Sequence, residues 1–320
     1  MKLLIIKTTS LGDLIHMLPA LSEAKSRFPG LTADWVAEES FADIPAMHPV
    51  VGRVIRVAMR RWRKAPWQRQ NWRDFSDFIA ALRMDRYDLV LDSQGLIKSA
   101  VYALWAYGPR AGLNFSSARE SLASLVYGKR YAVASELHAI TRNRLLTAQA
   151  LGYEMGNERD FSHGIISPPS TLRDLPEAFV VALHGTSRPE KEYPVAYWVD
   201  LIRRIQGNGL AVLLPWGNDR ERIRADQLSV SCEGARVLPR MSVAGIAGVL
   251  GRATGVVGVD TGLMHMAAAL LRPGVGLYPS TPPERFGVWA ETGAPVIVNL
   301  SSTGDMLPER VAAKFMNTLT

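Results

Sequence analysis

The chain has 320 residues, 48% hydrophobic and 21% charged, so it can bury a large core and is too long for one ordinary domain. One cysteine, Cys232, excludes an internal disulfide framework and a cysteine-cluster metal site, and reads as a small buried apolar residue. The formal net charge of +7 is uneven: residues 1–165 carry 22 Lys+Arg against 16 Asp+Glu, and residues 166–320 carry 15 against 14. A one-sided basic balance points to an acidic partner for the first half: nucleic acid, an anionic membrane surface or an acidic small molecule.

The opening MKLLIIKTTSLGD holds an apolar run of about four residues, too short for a signal segment, and reads as a first strand. No stretch approaches the roughly 18 unbroken apolar residues of a membrane span, so a soluble cytoplasmic protein is expected. In the first half the pattern predicts strands at Leu3–Lys7, Asp34–Ala37, Arg53–Ala58, Asp88–Asp92 and Tyr131–Ala134. Helical periodicity falls at Asp13–Arg27, Phe75–Arg83, Leu96–Tyr107 and His138–Leu151. The second half repeats this grammar, with strands at Phe179–His184, Ala211–Leu214, Val256–Val259, Val275–Tyr278 and Val296–Leu300. Its helices are predicted at Val195–Gln206, Asp219–Leu228, Val243–Leu250, Gly262–Leu271 and Pro308–Leu319. Near-continuous apolar strands (LLII, FVVAL, GVVGV) suit sheets covered on both faces. Strand–helix alternation implies parallel, doubly wound sheets. The expected class is α/β: two Rossmann-like domains, 1–165 and 175–320, facing across a cleft. Phe161–Asp174, with Pro168-Pro169, reads as the linker, and the last helix, 308–320, is a candidate to return to the first domain.

Ligands of open parallel sheets bind beyond the carboxyl ends of the strands. Four loops qualify. In Thr8-Thr9-Ser10-Leu11-Gly12-Asp13, Gly12 permits a tight turn and Asp13 is a carboxylate that can accept a proton or cap a helix. In Val259-Asp260-Thr261-Gly262-Leu263-Met264-His265, Asp260 and Thr261 can cap the next helix, whose first N–H groups form a phosphate seat beside His265. His184-Gly185-Thr186-Ser187-Arg188-Pro189-Glu190-Lys191 gathers two hydroxyls and two cations, which is anion-binding chemistry. Leu214-Pro215-Trp216-Gly217-Asn218-Asp219-Arg220-Glu221 offers an aromatic wall and an acid for sugar hydroxyls, or merely a structural tryptophan. No dinucleotide fingerprint, Walker A motif or metal-spaced cluster is present. From Arg53 to Arg73 there are eight Lys/Arg and no acids, centred on Arg60-Arg61-Trp62-Arg63-Lys64 with Trp67 and Trp72 following. That composition suits single-stranded nucleic acid, an anionic membrane or a solvated basic loop. Lys98, Arg119, Arg142 and Arg144 add basic groups in or near strand–helix loops.

Read together, LLIIKTTSLGDLIHMLPAL, RRWRK, DSQGLIKSA, LHGTSRPEKEYP, LPWG and VDTGLMH resemble, nearly end to end, the inverting heptosyltransferases of lipopolysaccharide inner-core assembly, glycosyltransferase family 9. RRWRK and DSQGLIKSA point to the branch acting on a Kdo acceptor, over a second branch that shares fold and donor. The resemblance implies a GT-B fold. It implies ADP-L-glycero-β-D-manno-heptose as the donor on the second domain and Kdo2-lipid A as the acceptor on the first. Asp13 would be the general base and Lys191 would offset leaving-group charge. Thr186, Ser187 and Lys191 would hold diphosphate; Asp260, Thr261, Gly262 and His265 would form the second phosphate and heptose loop; Glu221 would meet ribose or sugar. Lys7, Arg60, Arg61, Arg63, Lys64, Lys98, Arg119, His138 and Arg142 are candidates for the acidic acceptor. The chain departs from the usual His-Trp at Glu192-Tyr193. The expected cofactor and metal content is none. The expected setting is a monomer on the cytoplasmic face of the inner membrane, peripheral, with no nucleic-acid partner. The rivals are a nucleic-acid binder using the Arg/Trp block, a nucleotide-sugar epimerase needing no acceptor, and a heptosyltransferase with a different acceptor.

Overall fold

The computed structural model describes residues 1–186 and 188–320. The chain divides into two compact units, Met1–Ile166 and Ser167–Thr320, and the boundary falls inside the Pro-rich segment.

The first unit contains one parallel sheet of β1 (Lys2–Ile6), β2 (Thr32–Glu38), β3 (Val51–Val57), β4 (Leu89–Asp92), β5 (Arg110–Leu113) and β6 (Lys129–Tyr131), in the order β3-β2-β1-β4-β5-β6. The second contains β7 (Phe179–Leu183), β8 (Ala211–Leu214), β9 (Ala235–Val237), β10 (Gly255–Val259), β11 (Gly274–Leu277) and β12 (Ile297–Leu300), in the order β12-β11-β10-β7-β8-β9. Every named ladder is parallel. The strand order reverses between β1 and β4 in one unit and between β7 and β10 in the other, which is where doubly wound sheets open toward a ligand.

The central strands carry almost no polar side chain, because helices cover both faces. Phe179–Leu183 and Gly255–Val259 are buried throughout. The helix Val195–Gln206 buries Trp198, Leu201, Ile202 and Ile205, the i, i+3, i+4, i+7 stripe of an amphipathic helix. Each such side chain is worth about 1.5–3 kcal/mol when fully buried. The closing helix Pro308–Thr318 sends Val311, Ala312 and Phe315 into the same core. Its apolar face is thus committed to the core of the second unit.

Some expectations need correction. The single helix expected over Asp13–Arg27 is two, Leu11–Ile15 and Leu18–Arg27, with Pro19 in the first turn of the second, where its missing N–H costs nothing. β5 and β9 were not anticipated, and the edge strand expected at Tyr131–Ala134 is Lys129–Tyr131, sharing only Tyr131 with it. Trp62 is in the first core, and the RRWRK block is a short helix, Met59–Lys64, rather than a loop. Cys232 is buried, as expected.

One buried histidine in each unit sets a pH dependence. Burial pushes His48 down to about 4 from 6.5, and burial with the nearby Arg224 charge does the same to His184. The unfolded chain binds these protons first, so their contribution to stability is complete above about pH 6.5. It is lost as pH falls toward 4, at about 1.4 kcal/mol per pH unit for each group. Urea unfolding between pH 7.5 and 4.5 should show this slope, and His48→Gln should flatten its share. An unchanged slope in that variant would remove His48 as its source.

Candidate active site

In the first unit, the segment after β1 and the segment after β4 hold each other. Lys7 Nζ donates to the Ser93 carbonyl at 2.8 Å and to Asn143 Oδ1 at 3.4 Å. Gln94 Oε1 accepts from the N–H of Thr8 at 3.0 Å and of Thr9 at 3.3 Å. Gln94 is fixed in turn by Asp92, whose Oδ1 accepts from the N–H of Gln94 and Gly95. Asp92 Oδ2 accepts from the Tyr127 hydroxyl at 2.7 Å. Tyr127 fills the space over Gly112, where a Cβ would lie 2.4 Å from its ring. Burial raises the Asp92 carboxyl above its usual range, opposed by the Tyr127, Gln94 and Gly95 donors.

Asp13 sits at the end of this chain of contacts, half-buried in the first turn of Leu11–Ile15. Its Oδ2 accepts from Ser10 N at 2.8 Å and from Ser10 Oγ at 3.1 Å. Both bonds fall on one oxygen, and among the described residues Oδ1 accepts none. The capping and proton-accepting roles are therefore compatible. Burial lowers the Lys7 pKa from the ordinary 10.5; the Asp13 and Asp92 carboxylates oppose this, and Arg142 and Arg119 reinforce it. Two buried hydroxyls on these segments, Thr8 Oγ1 and Ser93 Oγ, have no protein partner among the described residues. Polar atoms in that state call for an explanation, and a polar ligand is one.

The other basic candidates divide. Arg60, Arg63, Lys64, Lys98 and Arg119 are exposed, with Arg60 over the Phe41 ring. Arg61 is engaged by Glu39 at 3.1 Å and Asp74 at 2.6 Å, so its charge is already matched within the unit. Arg142 donates to the Ser117 carbonyl. His138 is buried and caps Ala139–Leu151, accepting from Ile140 N at 3.3 Å. Arg144 is buried against Glu23 at 2.7 Å and bonds the Asn157 and Glu158 carbonyls, a structural use of a residue that looked like part of the basic set.

In the second unit the same topology brings the segments after β7 and β10 together. Lys191 Nζ reaches Asp260 Oδ2 at 2.6 Å, and Thr186 Oγ1 donates to the Asp260 carbonyl at 3.2 Å. The expected capping by Asp260 and Thr261 does not occur. Thr261 occupies the cap position of Gly262–Ala269 without a side-chain bond, and Asp260 is taken by Lys191. The helix start thus keeps its backbone N–H groups for an anion. His265 is buried in that helix. Ser187 lies outside the described residues.

Beside Thr186 lies a cavity of about 300 Å³ lined by Gly185, Glu192, Asn218, Glu221 and Arg224, among others. Asn218 caps Asp219–Ser231 by accepting from Glu221 N, and Glu221 Oε2 accepts from Gly217 N at 2.7 Å. A Cβ at residue 185 would lie 2.7 Å from Glu221 Cδ, so glycine is what lets Glu221 fold against that loop. Glu192 is bonded by Arg220 and Arg224. Tyr193 is core, its hydroxyl on the Met306 carbonyl at 2.7 Å. Trp216 anchors its loop through a bond to the Leu238 carbonyl. Gln94 and Arg224 were missed by sequence reasoning. Gln94 stands inside a motif quoted for its resemblance, and Arg224 had no local signal.

Residues 76–314 match the model of Glycosyltransferase family 9 (heptosyltransferase). The Pseudomonas aeruginosa protein "Lipopolysaccharide heptosyltransferase 1" is 46% identical over 293 residues, covering 91% of this chain and 82% of that one. The solved structure of the Escherichia coli heptosyltransferase WaaC with ADP is similar at TM-score 0.89 and 38% identity, covering 100% of both chains. The same enzyme with ADP-2-deoxy-2-fluoro heptose gives 0.84 at 38% identity, covering 99% of this chain and 98% of that one. Two six-stranded parallel units with this likeness define a glycosyltransferase of the GT-B fold. The chain belongs to glycosyltransferase family 9, the heptosyltransferases.

Gln94→Ala should leave the Thr8 and Thr9 N–H groups without their acceptor, at about 1–3 kcal/mol for each one left unsatisfied. Heptose transfer should fall while ADP affinity, measured by calorimetry, stays at wild type. Equal loss of both would show a global defect instead.

Proposed function

We propose that this heptosyltransferase of lipopolysaccharide core biosynthesis moves heptose from ADP-L-glycero-β-D-manno-heptose to a Kdo sugar of Kdo2-lipid A, with inversion at the anomeric carbon. The likeness that spans the whole of the ADP-bound Escherichia coli structure carries this reading. The second unit binds donor: Thr186, Ser187, Lys191 and the open start of Gly262–Ala269 take the diphosphate, Glu221 takes ribose or sugar hydroxyls, and Asp260 holds Lys191 in place. The first unit binds acceptor. Asp13, Arg142 and Arg119 each act electrostatically on the buried Lys7, which supports a site there for the Kdo carboxylate. Arg60, Arg63, Lys64 and Lys98 are exposed and suited to the phosphates of lipid A.

The chemistry is one displacement. An acceptor hydroxyl attacks the anomeric carbon as the bond to the diphosphate breaks, through an oxocarbenium-like transition state. The hydroxyl proton passes to Asp13 Oδ1, and ADP leaves with its charge held by Lys191 and the helix N–H groups. No cofactor enters. Among the described residues no group of three or more His, Cys, Asp or Glu is placed to hold a metal ion. No helix among them is long and apolar enough to cross a membrane. The proposed setting is peripheral, on the cytoplasmic face of the inner membrane, as a monomer.

Asp13→Asn should lower turnover by about 10²–10⁴-fold, the usual contribution of a general base, and leave ADP affinity unchanged. Wild-type turnover in a heptose-transfer assay would refute the role. Lys191→Ala should slow transfer by about tenfold to a hundredfold: a charge-assisted bond contributes about 1.5–3 kcal/mol, and about 1.4 kcal/mol is a decade in rate. Mass spectrometry of Kdo2-lipid A after incubation with donor and enzyme tests the reaction itself. The expected result is a gain of one heptose that disappears when either substrate is omitted.

A further inference from the structure

The first unit has an apolar surface that its core does not use. The helix Ile97–Trp105 leaves Ile97 47% and Leu104 52% exposed, with the half-buried Val101 between them. Positions i, i+4 and i+7 form one stripe. Beside it, the 3₁₀ turn Ser121–Val126 leaves Leu122 59% and Leu125 64% exposed, and residues three apart on such a turn eclipse each other. The two pieces are joined. Ala100 and Ala123 are buried in one cluster with Tyr127, and the Glu120 carboxylate accepts from Ile97 N at 2.7 Å. Phe115, 61% exposed, lies on the loop leading into that turn.

Scattered apolar residues are normal on a soluble surface, but five large ones on two joined elements and their loop form a patch. Its charged neighbours are the exposed Lys98, next to Ile97, the exposed Arg119, between Phe115 and Leu122, and one acid, Glu120, bonded to Ile97 N; the edge strand β6 that follows the turn adds the exposed Lys129 and Arg130. Charge selects the occupant. A second copy docking through the same patch would set these cations against their own counterparts. An anionic bilayer offers phosphate to the cations and an acyl boundary to the leucines.

We propose that this surface is the membrane-docking face, with Ile97, Leu104, Leu122 and Leu125 entering the headgroup–acyl boundary and Lys98 at the phosphate level. The proposal rests on the lipid-borne acceptor argued above. It adds an apolar contact on other elements to the Arg/Trp segment, whose exposed cations are left for the acceptor's phosphates.

The test is flotation with vesicles of phosphatidylethanolamine and phosphatidylglycerol. Leu122→Gln/Leu125→Gln should reduce partitioning by about tenfold or more. Val230→Gln, at an 87% exposed apolar position in the second unit, should not. A fluorophore on Leu122→Cys should shift to the blue on adding these vesicles; Cys232 is buried, so the introduced thiol is the one labelled. Unchanged flotation of the double variant overturns the proposal, as does a label that stays in water while the protein floats. A wild-type dimer that the double variant disperses, with no flotation, overturns it in favour of self-association. Transfer to an acyl-free Kdo acceptor separates the two readings. Absence of transfer in wild type to both this acceptor and Kdo2-lipid A defeats the proposed reaction, whereas transfer with unaltered flotation of the double variant defeats the docking face alone.

Discussion

A parallel strand covered by helices on both faces has room for polar chemistry only at its ends. In this chain the rule holds in both sheets, and it decides where everything else sits. Lys7 follows β1, Asp92 closes β4 and Asp260 follows β10. A charged group at the edge of an apolar layer needs partners, because burying it unpaired costs several kcal/mol. Those partners come from the segment across the reversal of strand order: Ser93 for Lys7, Lys191 for Asp260. The need to satisfy strand-end charges thus ties together the loops that line each ligand edge.

The same need explains why the excess charge of the first unit overstates what a substrate would meet. Arg53 is held by Asp34 at 2.6 Å and Asp85 at 2.8 Å, Arg61 by Glu39 and Asp74, and Arg144 by Glu23. These arginines join secondary structure elements. The exposed cations that remain are a smaller set, and part of it borders the apolar face on Ile97–Trp105 and Ser121–Val126.

Most of the fold was legible because the strong elements carry their own pattern. Val195–Gln206, Ala211–Leu214 and Val243–Leu250 were read with their observed limits, since apolar period and flanking Pro, Gly or Ser coincide there. β5 and β9 escaped because RAGL and ARV are short and mix small and charged residues, so their strand state comes from the neighbours they pair with. In the candidate site, the loops were legible from glycine, hydroxyl and charge at strand ends. What those side chains bond to was not. Asp260 read equally well as a helix cap, and only its distance to Lys191 decides otherwise. Trp62 and His138 read as binding groups because composition cannot distinguish a buried ring from a presented one. Gln94 carries no charge or catalytic signature, and its use depends wholly on where β4 ends relative to β1.

The row of contacts from Gly112 through Tyr127, Asp92 and Gln94 to the peptide groups of Thr8 and Thr9 runs sideways across the sheet rather than along the chain. Its members are separated by up to 119 positions in sequence, from Thr8 to Tyr127, yet none can change size or polarity without disturbing the next. In diverging lineages these sites should therefore be exchanged as a set, and a graft of the Asp13 loop into a distant relative would need its lateral supports transplanted with it.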